Sequence, residues 1–445
     1  MGLFRCYNNA QGTTKAYGLD LLLTCPSAIH LLYWTASSVA MALVKGHWCM
    51  EQGTQLSMQA LQSADLAPIV AQVIANPHID FLDWHVQPVS VSSGSQGAGG
   101  LGLFRLLGSA TANGQVYPWS MIVKVFSGSK SAGDPTGTNQ ISSAWNYWKR
   151  EILVYRSGIL AELAGNLVAP RCYGVTEHVN DEWRIWLEDI QETSTTWTMA
   201  QHGIAARHLG QFNGAYLTGR AVPAEQSWMY RGRAREWIEL AVPLLVGFQQ
   251  YARSDSGRRW LTEQSVERIE RLLANRQTLL ALLDRLPVCL CHHDAFRRNL
   301  FARDGASAAA QTVAIDWSMV GYGGVGEEVG ITTGVGLSWL AVAGDQASEM
   351  DRIVFEAYVD GLRDAGWQGD MRLARFGYTV TASLVIGVAW AMFMGALAFS
   401  TDDGVRSMEA TIGYQLDDIL EQWARVQPFL LDLGDEALRL VDELG

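Results

Sequence analysis

Acidic residues are missing between Asp83 and Asp134, histidines are missing after His293, and the six cysteines (Cys6, Cys25, Cys49, Cys172, Cys289 and Cys291) form no Cys-x-x-Cys pair. Each gap excludes something. Thinly spread cysteines are not a disulfide scaffold and fit reduced thiols in the cytoplasm. A dinucleotide fold would need a helix directly after its glycines and a carboxylate roughly 20 residues further on for the ribose, and neither is present. An iron site that begins at His292 and Asp294 would need a later histidine. Positive charge is scarce too: 33 Lys and Arg stand against 45 Asp and Glu, for a net charge of −12, which repels phosphate backbones, so no nucleic acid partner is expected.

Charge is absent from two runs. Residues 21–44 lack Asp, Glu, Lys and Arg, yet Pro26, His30 and several Ser and Thr interrupt them, which suits neither a span nor a leader peptide. Residues 376–401 are mostly apolar and, at about 1.5 Å per residue, long enough to cross a bilayer. We read them as the central helix of a helical lobe, with Gly387 and Gly395 allowing close neighbours, so no membrane partner is expected. Nothing in the sequence sets an oligomeric state.

The 445 residues allow two or three domains. Residues 1–57 have no usable periodicity and are expected to form an extension without an assigned role. Leu61, Leu66, Ile69, Val70, Val73 and Ile74 recur at helical spacing. Strands are expected at 84–91, 103–110 and 119–126, with Ala112-Asn113-Gly114 turning the last hairpin. Trp145, Trp148, Ile152 and Tyr155 predict a helix, residues 183–190 a further strand, and most of the chain from Thr198 onward reads as helices. The exception is 288–320, where CLCHHD and TVAIDW are expected as short strands flanking a loop that turns at Asp304-Gly305.

Three features carry chemistry. The glycines Gly97, Gly99 and Gly102 fit G-x-G-x-x-G between two strands, where backbone N–H groups can approach phosphate oxygens; a plain flexible hairpin is the alternative. Lys124 lies in the apolar run MIVKVF and needs an anionic partner, either phosphate or a carboxylate from the next helix. Glu151 is the candidate, ahead of Glu162. Third, His292-His293-Asp294 is followed at fixed spacing by Asn299 and then by Ala314-Ile315-Asp316-Trp317. A carboxylate at Asp294 can accept a proton from a hydroxyl, while Asn299 and Asp316 offer the hard oxygens that magnesium prefers.

That last segment resembles the H-x-D-x-x-x-x-N and apolar-apolar-Asp-Trp pattern of the aminoglycoside phosphotransferase and choline kinase superfamily. The resemblance implies an α+β, bilobal, protein-kinase-like fold: a nucleotide-binding sheet lobe at 58–188 and a mainly helical catalytic and substrate-binding lobe at 189–445. It implies a kinase that uses ATP and Mg2+ to phosphorylate a hydroxyl of a small molecule. Asp294 would be catalytic, and Asn299 and Asp316 would ligate the metal. Gly97, Gly99, Gly102 and Lys124 would hold phosphates, Glu151 would hold the lysine, and backbone groups near Glu188 and Asp189 would meet the adenine. His292 would brace the loop. Ala205 to Phe212 is similar to the family's supporting helix. Departures are His293 in place of a glycine, Arg297-Arg298 in place of Pro-Gly, and Glu327-Glu328 where an aspartate is usual. The acidic balance leans toward an amino sugar or amino alcohol as acceptor.

Overall fold

A computed structural model describes residues 54, 57–89, 100–128, 138–192, 196–221, 226–303 and 310–445. Apolar residues at helical spacing form α1 (Ser63–Ile74), which buries Leu66, Ile69 and Val70 against a sheet. The sheet contains β1 (Asp80–Pro88), β2 (Gly100–Ala112) and β3 (Gln115–Ser127). Alternation along β3 is clean: Met121, Val123 and Val125 are buried and Ile122 and Lys124 face the other way. Asn113 and Gly114 turn the β2–β3 hairpin with positive φ, as the sequence predicts.

The helix expected from Trp145 starts later, as α2 (Arg150–Ser157). The reason is Arg150 itself. Its buried guanidinium takes the carbonyls of Ser142, Ala144 and Trp145, and also those of Trp228 and Ser318, and the Ala144 carbonyl is shared with the Tyr147 N–H in a tighter turn rather than an α-helical one. After β4 (Leu167–Val168) come β5 (Cys172–His178) and β6 (Glu182–Glu188), which complete a five-stranded antiparallel sheet in the order β1-β2-β3-β6-β5. No reading of the sequence anticipated β5, because six of its seven residues are half-buried and alternation is lost.

Beyond β6 the chain is mainly helical. α3 (Met199–Leu217) opens with a Thr198 cap and a capping box closed by Gln201. β7 (Tyr230–Arg231) leads into α4 (Arg233–Ala241), followed by α5 (Leu245–Ala252), α6 (Glu263–Ala274) and α7 (Arg276–Leu283). Two small sheets then present the expected catalytic segment. β8 (Val288–Cys291) pairs with β11 (Gly321–Gly324), while β9 (Leu300–Arg303) pairs with β10 (Gln311–Ala314). The two expected strands, CLC and TVA, are therefore in different sheets. Their common loop is replaced by the pairing of β9 with β10, and the turn expected at Asp304-Gly305 lies outside the described residues.

α8 (Glu327–Ser338), α9 (Ala347–Asp364) and α10 (Met371–Val380) follow, then α11 (Asp402–Ile412) and α12 (Leu416–Leu444). α10 continues with π-helical stretches at Thr381–Trp390 and Met394–Ala398. Met371–Ala398 is the one helix among the described residues long and apolar enough to cross a membrane, and 89% of its most apolar window is buried within the protein. Packing, as read from the sequence, is its solvent. The arrangement is α+β and bilobal, an antiparallel sheet lobe followed by a mainly helical one, as expected for the kinase-like class.

Candidate active site

Lys124 points from β3 toward α2, where its ammonium lies 2.8 and 2.6 Å from the two carboxylate oxygens of Glu151. Asp316 Oδ1 is 3.5 Å away on its other side. Burial works against the ammonium, but Asp316 and Glu151 outweigh it and hold its pKa up. Burial pushes Glu151 up to about 7 in spite of the lysine. At 1% exposure that carboxylate has no partner in water, which explains why it is tied to the lysine so closely. Glu162, the weaker candidate, is exposed and does not join them. The glycines fall differently. Gly97 and Gly99 lie outside the described residues, and Gly102 is part of β2 rather than of a turn, paired with Val125 beside Lys124.

β8 delivers His292-His293-Asp294 from the other lobe. His292 is fully buried, with Nε2 donating to the carbonyl of Ile315 at 2.8 Å and Nδ1 accepting the N–H of Asp294 at 3.2 Å. A carbonyl only accepts and an amide N–H only donates, so the ring must be the neutral Nε2–H tautomer. Burial keeps it neutral, lowering its pKa to about 4. His292 thus ties the loop of one aspartate to the strand end of the other. His293 has φ 63, in the left-handed region, which explains why a glycine suits this position. Its ring is buried against the carbonyl of Tyr322. The backbone N–H groups of His292 and His293 donate to the Glu328 carboxylate at 2.6 and 3.0 Å.

Asn299 donates from Nδ2 to both the carbonyl and Oδ2 of Asp294, each at 2.9 Å. Its other amide atom, the oxygen, is thereby turned away from Asp294. The β9–β10 register places Leu300 opposite Ala314, and the Ile315 N–H donates to the Asn299 carbonyl. Asn299 and Asp316 thus end adjacent strands side by side. Asp316 adopts φ 59, a conformation that Asp tolerates better than most residues and one that turns the chain out of its strand. A carboxamide oxygen and a carboxylate suit magnesium, which takes few protein ligands and completes its shell with phosphate and water. No group of three or more His, Cys, Asp or Glu able to hold a metal occurs among the described residues, so the soft-ligand cages of zinc have no counterpart there.

The site also contains residues the sequence did not reveal. Arg233, at the start of α4, is buried with Nη2 at 3.8 Å from Asp294 Oδ1. Burial raises Asp294 to about 6, with Arg233 and Asn299 opposing and Asp316 assisting the rise. No spacing rule marks Arg233, because it arrives from a different element. Glu328 was visible only as a departure from the usual aspartate. Of the arginines in place of Pro-Gly, Arg297 pairs with Glu192 at 2.8 Å, and Arg298 donates to the carbonyls of Thr411 and Ile412 at the end of α11. Glu188 and Asp189 are engaged by arginines, Glu188 with Arg303 and Asp189 with Arg105.

With Asp294, Asn299 and Asp316 gathered on adjoining strand ends, the comparison with known families is direct. Residues 158–367 match the phosphotransferase enzyme family. The resemblance drawn from His292 to Asp316 is therefore shown. The matched stretch contains Asp294, Asn299 and Asp316 and begins after Glu151, so Lys124 and Glu151 join the site by geometry alone. Among solved structures, the chain is similar to a microcompartment-associated aminopropanol kinase, at 12% identity over 84% of this chain and 99% of that one, with a TM-score of 0.46. It is similar to a choline kinase from Cryptosporidium parvum, at 12% identity over 80% and 92% of the two chains, with a TM-score of 0.46. A spectinomycin phosphotransferase in complex with ADP and spectinomycin shows 13% identity over 86% and 100%, with a TM-score of 0.44. No curated protein matches the sequence.

Proposed function

We propose that this protein transfers the γ-phosphoryl group of ATP to a hydroxyl of a small molecule. The observation that carries the reading is the meeting of Lys124 and Glu151 from the sheet lobe with Asp316, Asn299 and Asp294 on adjoining strand ends of the helical lobe. Lys124 offsets charge on the phosphates, and Glu151 fixes it in place. Asn299 and Asp316 would hold magnesium, which would supply positive charge against the phosphate oxygens. Asp294 orients the acceptor hydroxyl and takes its proton as the oxygen attacks phosphorus. His292 and Glu328 hold the loop, and positioning with charge neutralisation supplies most of the rate.

Within this reading, 58–188 is the nucleotide lobe and 189–445 the catalytic lobe of a cytoplasmic enzyme. Calorimetry with a non-hydrolysable ATP analogue, with and without magnesium, tests the roles. Asp294→Ala should bind the nucleotide nearly as the native chain does while losing transfer by a factor on the order of 10² to 10⁴. Asp316→Ala should lose the magnesium-dependent part of binding as well. Native-like binding by Asp316→Ala in magnesium, or full activity of Asp294→Ala, would show the roles to be wrong. The rival reading, a nucleotide-binding scaffold without catalysis, would bind MgATP and release no ADP with any alcohol.

A further inference from the structure

Around Asp294 the chain closes a ring of contacts that phosphoryl transfer as such does not require. Phe296 meets Trp339 with ring centroids 5.4 Å apart, Trp339 meets Trp390 at 6.3 Å, and Trp390 meets Trp237 at 6.0 Å. Arg233 lies 5.9 Å from the Trp237 ring and returns the circuit to Asp294. The ring draws on the catalytic loop, the end of α8, the π-helical continuation of α10, and α4. Its three indoles are half-buried, and the Asp294 side chain keeps 27% of its exposure, so an aromatic wall stands beside an open carboxylate.

Two properties of this wall select its ligand. Arg233 sits over Trp237, and Arg298 sits 4.8 Å over Trp339, so indole faces that would attract a cationic ligand already carry the chain's own guanidinium groups. An incoming ammonium would meet like charge there. The second property is unspent hydrogen bonding: Nε and Nη1 of Arg233 and the indole N–H groups of Trp237 and Trp390 are buried and find no partner among the described residues. All four are donors. Buried donors call for acceptors, which a carboxylate, carbonyl or ether supplies and an ammonium does not.

We propose that the acceptor is a planar, largely apolar alcohol, neutral or anionic, that lies against Trp237, Trp339 and Trp390 with its oxygen acceptors toward Arg233 and its hydroxyl toward Asp294. The inference rests on the phosphotransferase reading and replaces the amino sugar or amino alcohol suggested by net charge. Three probes with one shared benzylic hydroxyl test it: mandelate, its methyl ester, and 2-amino-1-phenylethanol, each titrated into the full chain saturated with magnesium and a non-hydrolysable ATP analogue. Mandelate and the ester should bind, the amine about tenfold more weakly. Trp237→Ala and Trp390→Ala should each weaken mandelate by about tenfold and leave the nucleotide affinity unchanged, which also reports that the variant is folded. Trp237→Phe, a smaller change, should weaken mandelate less and the amine not at all. Equal or tighter binding of the amine, or binding of none of the three probes, would overturn the proposal. If mandelate binds and no alcohol elicits ADP release, the phosphotransferase reading fails while the pocket assignment stands. If kanamycin elicits ADP release with a kcat/KM untouched by Trp237→Phe, the reverse holds.

Discussion

One imidazole links the two aspartates of the site: His292 donates to the Ile315 carbonyl beside Asp316 and accepts from the Asp294 N–H. With its pKa lowered to about 4, it stays neutral across the working range and should contribute no limb to a pH–rate profile between about pH 5 and 8. Asp294 should contribute one. Burial raises it to about 6, and only its ionised form can accept the hydroxyl proton, so kcat/KM should climb as pH rises through about 6 and level off above. A profile flat down to pH 4.5 would remove Asp294 from the role of base. Glu328 gives a second check, since its carboxylate receives two backbone N–H groups at once. Glu328→Gln turns an amide donor toward one of them and should cost about 1–3 kcal/mol in denaturant unfolding, lowering kcat more than it raises KM. Asp294, Asn299 and Asp316 were legible because one short segment holds them at fixed spacing. Arg233 was not, since its approach to Asp294 depends on how α4 packs, and sequence spacing does not encode that.

The same division holds among the elements. β2 and β3 could be read because one face is buried and the other is not, whereas β5 has lost that contrast, and the start of α2 is set by an arginine that takes the carbonyls of the turn before it. The apolar run at 376–401 was legible as a buried helix, but not its π-helical geometry, which no residue type marks. A glycine at the start of α8 has a sharper requirement. Gly326 sits at φ 93, and a Cβ there would stand 1.9 Å from the Ala374 carbonyl of α10. Gly326→Ala is therefore predicted to combine backbone strain with a clash against main chain and to destabilise the protein by about 3 kcal/mol or more. Because Glu328 lies two residues further along, nucleotide-dependent activity should fall before the chain unfolds. Thermal unfolding followed alongside ADP release would check both; an unchanged Tm would contradict the packing of α8 on α10.

Taken whole, the order of a sheet lobe followed by a helical lobe was visible in the change of periodicity along the chain, but the edge of the first lobe was not. Ser57 donates to the Thr54 carbonyl and accepts from Arg184 on β6, and Thr54 is buried, so packing reaches past the boundary drawn at Met58. A chain beginning at Met58 should fold with a Tm about 1 °C below one that begins at Thr54, a loss of about 1 kcal/mol. Equal melting curves would restore the earlier boundary. The burial of Met371–Ala398 predicts recovery in the supernatant after cell fractionation without detergent. Arg150 has a further effect at this scale. Its guanidinium fastens the turn before α2 to Trp228 and to Ser318, two residues past Asp316, and the next residue along is Glu151. Swinging the lobes apart about any other point would break several of these bonds together. If the lobes open to admit a nucleotide, an opening that keeps these bonds would pivot around this pin, with Glu151 beside the axis and Lys124 bonded to it. The grip on the phosphates would hold constant while the rest of the cleft opens, and slow amide exchange at Glu151 and Ile152, unchanged by nucleotide, would be its signature.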